Sequence, residues 1–210
     1  MRRRPFTKRN VALAALLLTC GCAGASDSGA LAFREPGFRA TAVRRPALLV
    51  RVSVPWELGS RERERIPEDY LAAVVEGLER IGMLVVDMTT VPGTSARPLE
   101  GLDRAAAVGR AREAGAEQLV IVDARLAKGD LTHCKQTGRA GRAPTVFWDV
   151  GLEIRRVAGN QPLLVEPPAE SVRAVDVEFD CKTGRLIRRK SMDELIGDSV
   201  ALVLAPFSSR

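Results

Sequence analysis

Histidine and tyrosine occur once each in this chain of 210 residues, cysteine four times, and aromatic residues make up only 4%. A zinc site built on histidines needs more than one, and His133 stands alone. Catalytic signatures are missing as well. No Gly-x-Ser-x-Gly elbow is present, and Gly138-Arg139-Ala140-Gly141-Arg142 lacks the strand–loop–helix setting of a phosphate cradle. Carboxylates are plentiful, yet no pair stands at a spacing that demands acid–base work. The longest apolar run, Val11 to Leu18, has eight residues, well short of the roughly 20 that cross a bilayer. Residues 1–22 contain no acid.

That last absence explains the charge. The net +6 invites a nucleic-acid reading, but Arg2, Arg3, Arg4, Lys8 and Arg9 supply five of the 32 basic residues. Without them, 27 basic residues face 26 acidic ones, so no nucleic-acid partner is expected. A basic stretch, then Val11 to Leu18, then small residues is the order of an export signal. Leu18-Thr19-Cys20-Gly21-Cys22 resembles the bacterial lipoprotein box, in which small residues precede a lipidated cysteine. The resemblance makes residues 1–21 a signal peptide and Cys22, preceded by Gly21, the lipid (palmitate) acceptor; Cys20, preceded by Thr19, is the second choice. Arg3-Arg4-Pro5-Phe6-Thr7-Lys8 also resembles a twin-arginine signal, so the export route stays open. Lipoproteins of this kind without Asp after the cysteine go to the outer membrane, and here Ala23 follows. The expected location is its periplasmic face, held by acyl chains.

Residues 22–45 read as the lipidated N-terminus and a tether, 46–206 as one domain, and 207–210 as a tail. Ala47 to Val54 alternates, with Leu48, Val50, Val52 and Val54 on one face and Arg51 and Ser53 on the other, as a half-buried strand does. Gly59 to Arg65 is a charge run expected as a solvated loop. Pro67 suits a first helical position, with Glu68 and Asp69 favouring the helix start. Tyr70, Val74, Leu78 and Ile81 would face the core, Gly82 would stop the helix, and Met83 to Met88 would be a second strand. After a Thr89 to Gly101 loop, Asp103 caps a helix that presents Ala107, Val108, Ala111 and Ala114 and stops at Gly115, which takes φ > 0 at little cost. Leu119 to Val122 is continuously apolar, the mark of a central strand covered on both faces. Ala127 to Pro144 reads as irregular. Thr145 to Val157 alternates cleanly, with Val146, Trp148, Val150, Leu152 and Ile154 opposite Asp149, Glu153 and Arg155. Ala158-Gly159-Asn160 is a turn, Pro167-Pro168 interrupts the return path, and Ser171 to Phe179 is a strand with Val175, Val177 and Phe179 inward. Ser191 to Glu194 is a capping box. It opens a helix with Leu195, Ile196, Ser199, Leu202 and Val203 on one face, ended by Pro206. The order β-α-β-α-β-β-β-α predicts an α/β (α+β) fold, a mixed sheet with helices packed on it.

This order resembles the curli-secretion-channel and penicillin-binding-protein-activator lipoprotein superfamily, and the N-terminal domain of the Tol-system β-propeller protein. Pro55-Trp56 matches the Pro-aromatic end of their first strand. Gly115-Ala116-Glu117 through Val122 matches their helix stop and apolar strand. The resemblance covers residues 46–206 and implies their fold. The chain departs from the pattern at Asp123, where those families have Gly, and at Ala158-Gly159-Asn160, where their Thr-Gly hairpin is absent; Thr183-Gly184 comes later.

Two cysteines remain in the domain. An even pair in an exported chain points to a disulfide between Cys134 and Cys181, which the strand order would bring to one end of the sheet. His133 reads as a solvated loop residue. Lys128, Lys135, Arg139 and Arg142, with Lys182, Arg185, Arg188, Arg189 and Lys190, would share that end as a basic patch for an acidic protein or an anionic polymer. No cofactor, metal or catalytic residue is implied. The expected function is that of a non-enzymatic envelope lipoprotein, a scaffold or regulator of an envelope assembly. The alternatives are an envelope enzyme using the Cys134 thiol and a periplasmic activator of a wall-synthesising enzyme.

Overall fold

A computed structural model describes residues 31–86, 104–134, 141–169 and 173–208. Cys20, Cys22, Asp103, Lys135, Arg139 and the Thr89 to Gly101 loop lie outside the described residues. A mixed sheet runs in the order β1 (Phe33–Arg34), β5 (Gln161–Glu166), β4 (Gly141–Arg156), β3 (Gln118–His133), β2 (Ala47–Ser53), with β6 (Arg173–Val175) also pairing β4. Only β2 and β3 are parallel among these strands. A second sheet pairs β7 (Val177–Asp180) with β8 (Arg185–Arg189). The fold class is therefore the expected one, a mixed α+β fold.

Three helices cover the sheet. α1 (Ser60–Arg80) and α3 (Met192–Ser208) lie on one face against Leu48, Val50, Val120, Val122, Trp148 and Ile154. α2 (Arg104–Glu113) lies on the other and buries Ala107, Val108 and Ala111 against Leu49, Leu119 and Ile121. β3 is thus covered on both faces, as its apolar run requires. Gly115 stops α2 at φ +72°. The burial of Ala47 and Leu49 makes β2 two-sided at its start rather than half-buried throughout. On the α1 side, Gly77 lets the two helices approach: a Cβ there would stand 2.4 Å from Leu204 Cδ1.

Several elements differ from expectation, each for a physical reason. Gly59 to Arg65 is not a loop; α1 begins at Ser60 and Pro67 lies inside it. Arg and Glu are good helix formers, and the carbonyl that Pro67 deprives of a donor belongs to exposed Arg63. Ile81 lies beyond the helix end, partly exposed, and buried Met83 takes its place in the core. Among the described residues of the expected Met83 to Met88 strand there is a parallel bridge from Val86 to Ala47 and no ladder; Asp87 and Met88 lie outside the described residues. Ala127 to Pro144 is largely strand, because β3 continues to His133 and β4 starts at Gly141. Its inward positions carry Ala127 and Gly129, too small to show as an apolar alternation. β5 was not expected at all. It returns along β4 with Leu163 and Leu164 buried. Ser171 to Phe179 is broken at Asp176, whose carboxylate accepts the Val146 N–H at 2.9 Å, so the chain leaves β4 and starts β7. Val177 is buried there, while Val175 and Phe179 are half-buried. Pro206 does not end α3; Phe207 is buried one residue later. Phe38, Ala40 and Val43, read as tether, pack on the α1/α3 side.

The Ser191 capping box forms in both directions: Glu194 N–H donates to Ser191 Oγ at 3.2 Å, and Ser191 N–H to Glu194 Oε2 at 2.8 Å. Tyr70, with no exposed surface, shares a 2.8 Å hydrogen bond with Ser199 Oγ and packs its ring 4.7 Å from that of Trp148. Burial pushes its phenol up to about 12.

Two outcomes follow for this pair. Tyr70→Phe leaves the buried Ser199 hydroxyl unpaired and should cost about 1–2 kcal/mol in denaturant unfolding, with adding Ser199→Ala recovering much of it. Because the folded phenol titrates above its unfolded value of about 10, its contribution to stability is whole below that pH and falls as pH rises toward 12. Tyr70 is the single tyrosine, so tyrosinate absorbance should rise about two pH units later in the native chain than in denaturant.

Candidate functional site

The long β3–β4 hairpin carries the expected cysteine to its tip. Cys134 follows β3 in a left-handed backbone conformation, φ 61°, and its sulfur joins that of Cys181, with Cα atoms 5.2 Å apart. Cys181 opens the turn between β7 and β8. The disulfide therefore ties the hairpin to the small ribbon, rather than joining loops at the end of one sheet. His133 is the last residue of β3, not part of a loop. Further bonds hold the ribbon. Arg189 reaches both Asp176 and the Pro144 carbonyl at 2.9 Å. Asp180 accepts from Lys182 N–H and the Thr183 hydroxyl, and these bonds lower its pKa.

This ribbon changes the basic patch. Arg185, Arg188 and Arg189 stand on a strand, all exposed. Arg188 pairs with Glu178 and Glu194 at 2.9 and 2.7 Å; Arg188 first, then the Ser191 N–H, holds Glu194 down at about 2. Arg189 pairs with Asp176, and Lys190 with Asp198 and Glu178. Those three cations are neutralised locally, so the patch is smaller than the count of basic residues suggests. Lys128, Arg142, Lys182 and Arg185 are exposed and have no carboxylate partner among the described residues.

A second surface was not assembled from the sequence. Beyond the N-terminal start of α2, the sheet face turns from apolar to charged. The β2–β3 register sets Arg51 beside Asp123, the next pair on that face after Leu49 and Ile121, and the guanidinium grips the carboxylate at 2.5 and 2.6 Å. That bond is the main reason the Arg51 pKa is raised. On β4, Glu153 is buried and is held by Arg155 and, at 2.8 Å, by Arg104 at the start of α2. Asp149 is gripped by Arg173 of β6. Arg125 stands opposite Asp149 across the β3–β4 ladder. Arg51, Arg104, Asp123, Arg125, Asp149 and Glu153, together with Pro167 and Pro168, line a groove of about 630 Å³. Gly151, opposite Asp123, lets Pro168 lie close on the sheet: a Cβ there would stand 3.0 Å from Pro168 Cδ. The sequence held a signal: Arg51, Asp149, Glu153 and Arg155 all fall on polar positions of alternating strands, and Asp123 is the departure from the family pattern. The strand pairing that joins them was not legible. Among the described residues no group of three or more metal-ligating side chains converges.

Two substitutions test what these contacts hold. Reducing the disulfide, which links residues 47 positions apart, should lower stability by about 4 kcal/mol in the chain-entropy model, and a Cys134→Ala/Cys181→Ala chain should unfold at the same lowered denaturant midpoint. Glu153→Ala removes the carboxylate shared by Arg104 and the largely buried Arg155, leaving Arg155 its bonds to Asn160, and should cost about 3 kcal/mol in the same measurement.

No protein-family model matches the chain, and no curated protein does. Among solved structures it is similar to the PelC dodecamer from Paraburkholderia phytofirmans, at 13% identity over 86% of this chain and 96% of that one, with a TM-score of 0.41. It is also similar to the LpoB C-terminal domain from Salmonella enterica, at 17% identity over 67% of this chain and 85% of that one, with a TM-score of 0.33. These are likenesses of chain path, and no activity or partner follows from them.

Proposed function

We propose that this protein is a lipid-anchored, non-enzymatic accessory of the bacterial envelope, a scaffold or regulator that works by touching other proteins at the periplasmic face of the outer membrane. The observation that carries the reading is the charged groove. Its carboxylates Asp123, Asp149 and Glu153 are each engaged by an arginine, so they are already committed to partners within the sheet. What the face offers is shape and matched charge, the features of a recognition surface. Cys134, on which the enzyme alternative depends, is committed to the disulfide.

The anchor belongs to the sequence motif at Cys22. From Cys22 to Leu31 the chain spans at most about 35 Å when fully extended, and from Phe33 onward it is paired into the sheet. That reach keeps the domain close to its membrane and disfavours an activator that must cross the wall to its enzyme.

Labelled palmitate should enter the wild-type chain and sediment with membranes. Cys22→Ser should release the product to the soluble fraction, and Cys20→Ser should not. A doubly substituted chain that still pellets, or a wild-type chain that takes up no fatty acid, would reject the anchored reading.

A further inference from the structure

We infer that the outer edge of β8 is a docking rail for an extended, acidic segment of a partner protein, which adds as a third strand to the β7–β8 ribbon. This rests on the reading that the protein acts by contact, and it names the surface and the partner's chemistry.

A two-stranded ribbon is marginal by itself, and this one contributes little to the core. All five residues of β8 are exposed, and among β7 residues only Val177 is buried. Yet the ribbon is secured at every side: by the Cys134–Cys181 disulfide, by Arg189 on Asp176 and Pro144, by Arg188 on Glu194, and by Lys190 on Asp198. So many attachments hold still a strand that buries almost nothing. Rigidity of this kind lowers the ordering cost of binding.

The edge itself is open. β8 pairs with β7 on one side and with no other strand among the described residues, so its outer row of N–H and C=O groups is available as a template. Leu186 and Ile187 are 44% and 63% exposed, offering apolar contacts on opposite faces of an added strand. The shift in register after Glu178 leaves Ile187 unopposed by β7.

Charge selects the occupant. β8 reads Arg-Leu-Ile-Arg-Arg and has no acid. Two copies pairing antiparallel about Ile187 would set Arg185 of each against Arg189 of the other, and like charges directly opposite are destabilising. The arginines thus guard against self-pairing, as edge charges do. Arg185 and nearby Lys182 lack carboxylate partners among the described residues, while Arg188, Arg189 and Lys190 are already paired. An alternating acidic strand supplies the missing partners and meets Leu186 and Ile187 with its apolar residues, as in strand addition generally.

The full chain, purified in detergent, should bind a fluorescent peptide of about ten residues alternating valine and glutamate. Binding should protect the amides of 185–189 from hydrogen exchange and weaken as salt rises. The Lys182→Glu/Arg185→Glu chain should bind about tenfold more weakly, with an unchanged denaturation midpoint. A peptide alternating valine and lysine should not bind. The rail is overturned if that lysine peptide binds equally, if protection appears elsewhere, if charge reversal has no effect, or if the β8 amides are protected without peptide in a concentration-dependent dimer. Such a failure would remove the rail without touching the membrane anchor, which the palmitate and sedimentation measurements read separately.

Discussion

Burial of β3 on both faces is the constraint on which the rest of the structure depends. Leu119 and Ile121 need the small side chains of α2, and Val120 and Val122 need α1 and α3. A strand apolar on both sides is stable only in the interior of a sheet, so neighbours must exist on each edge. β2 takes one edge in parallel, which requires a crossover, and β4 takes the other antiparallel. The helices are then placed by what they must cover. Ala107 and Ala111 allow α2 to lie close, and Gly77 does the same for α1 against α3.

The same strand passes through three environments in 16 residues. Its first part is core. At Asp123 it emerges from beneath α2, and its charge is met at once by Arg51 on β2. Beyond Leu126 it becomes one arm of a hairpin that ends at the disulfide. Function and stability separate along its length for this reason. The groove begins where apolar cover ends, and there Asp123, Asp149 and Glu153 are each met by an arginine. Glu153 is the extreme case. Desolvating a carboxylate costs several kcal/mol unless partners compensate, and Arg104 and Arg155 both do so.

Legibility in the sequence follows the same division. Gly115, the Leu119 to Val122 run, the Trp148 face and the Ser191 capping box were readable because each rests on a local rule: a left-handed stop, two-sided burial, period-two alternation, a cap. Where a local rule met a competing one, the reading failed. Pro67 looks like a helix start, but the exposed Arg–Glu run before it extends the helix. Ala127 and Gly129 mark inward positions that carry no apolar signal. Gln161 to Glu166 is too short and too close to a turn to stand out, and only pairing with β4 makes it a strand. The groove was half legible. Arg51, Asp149 and Glu153 stand on the polar faces their alternation predicts, but register alone brings Arg51 to Asp123 and Arg173 to Asp149. The ribbon was least legible, because Asp176 breaks a strand by a bond to Val146 that is distant in sequence.

Placement of the ribbon relative to the chain's entry point completes the argument. The N-terminal segment joins the sheet at β1, whose partner residue Val165 pairs with Glu153 of β4. The ribbon is tied to the same strand at Val146 and Pro144. Along an antiparallel strand, nine residues from Glu153 to Pro144 amount to about 30 Å. β4 is thus a strut with the incoming chain at one end and the ribbon toward the other. Under the proposed anchoring at Cys22, entry at β1 would place β8 toward the far end of that strut from the membrane attachment. The β3–β4 hairpin, whose polar length reads as a loop in sequence, supplies the length of this strut, and the disulfide ties the end of β3 to the ribbon.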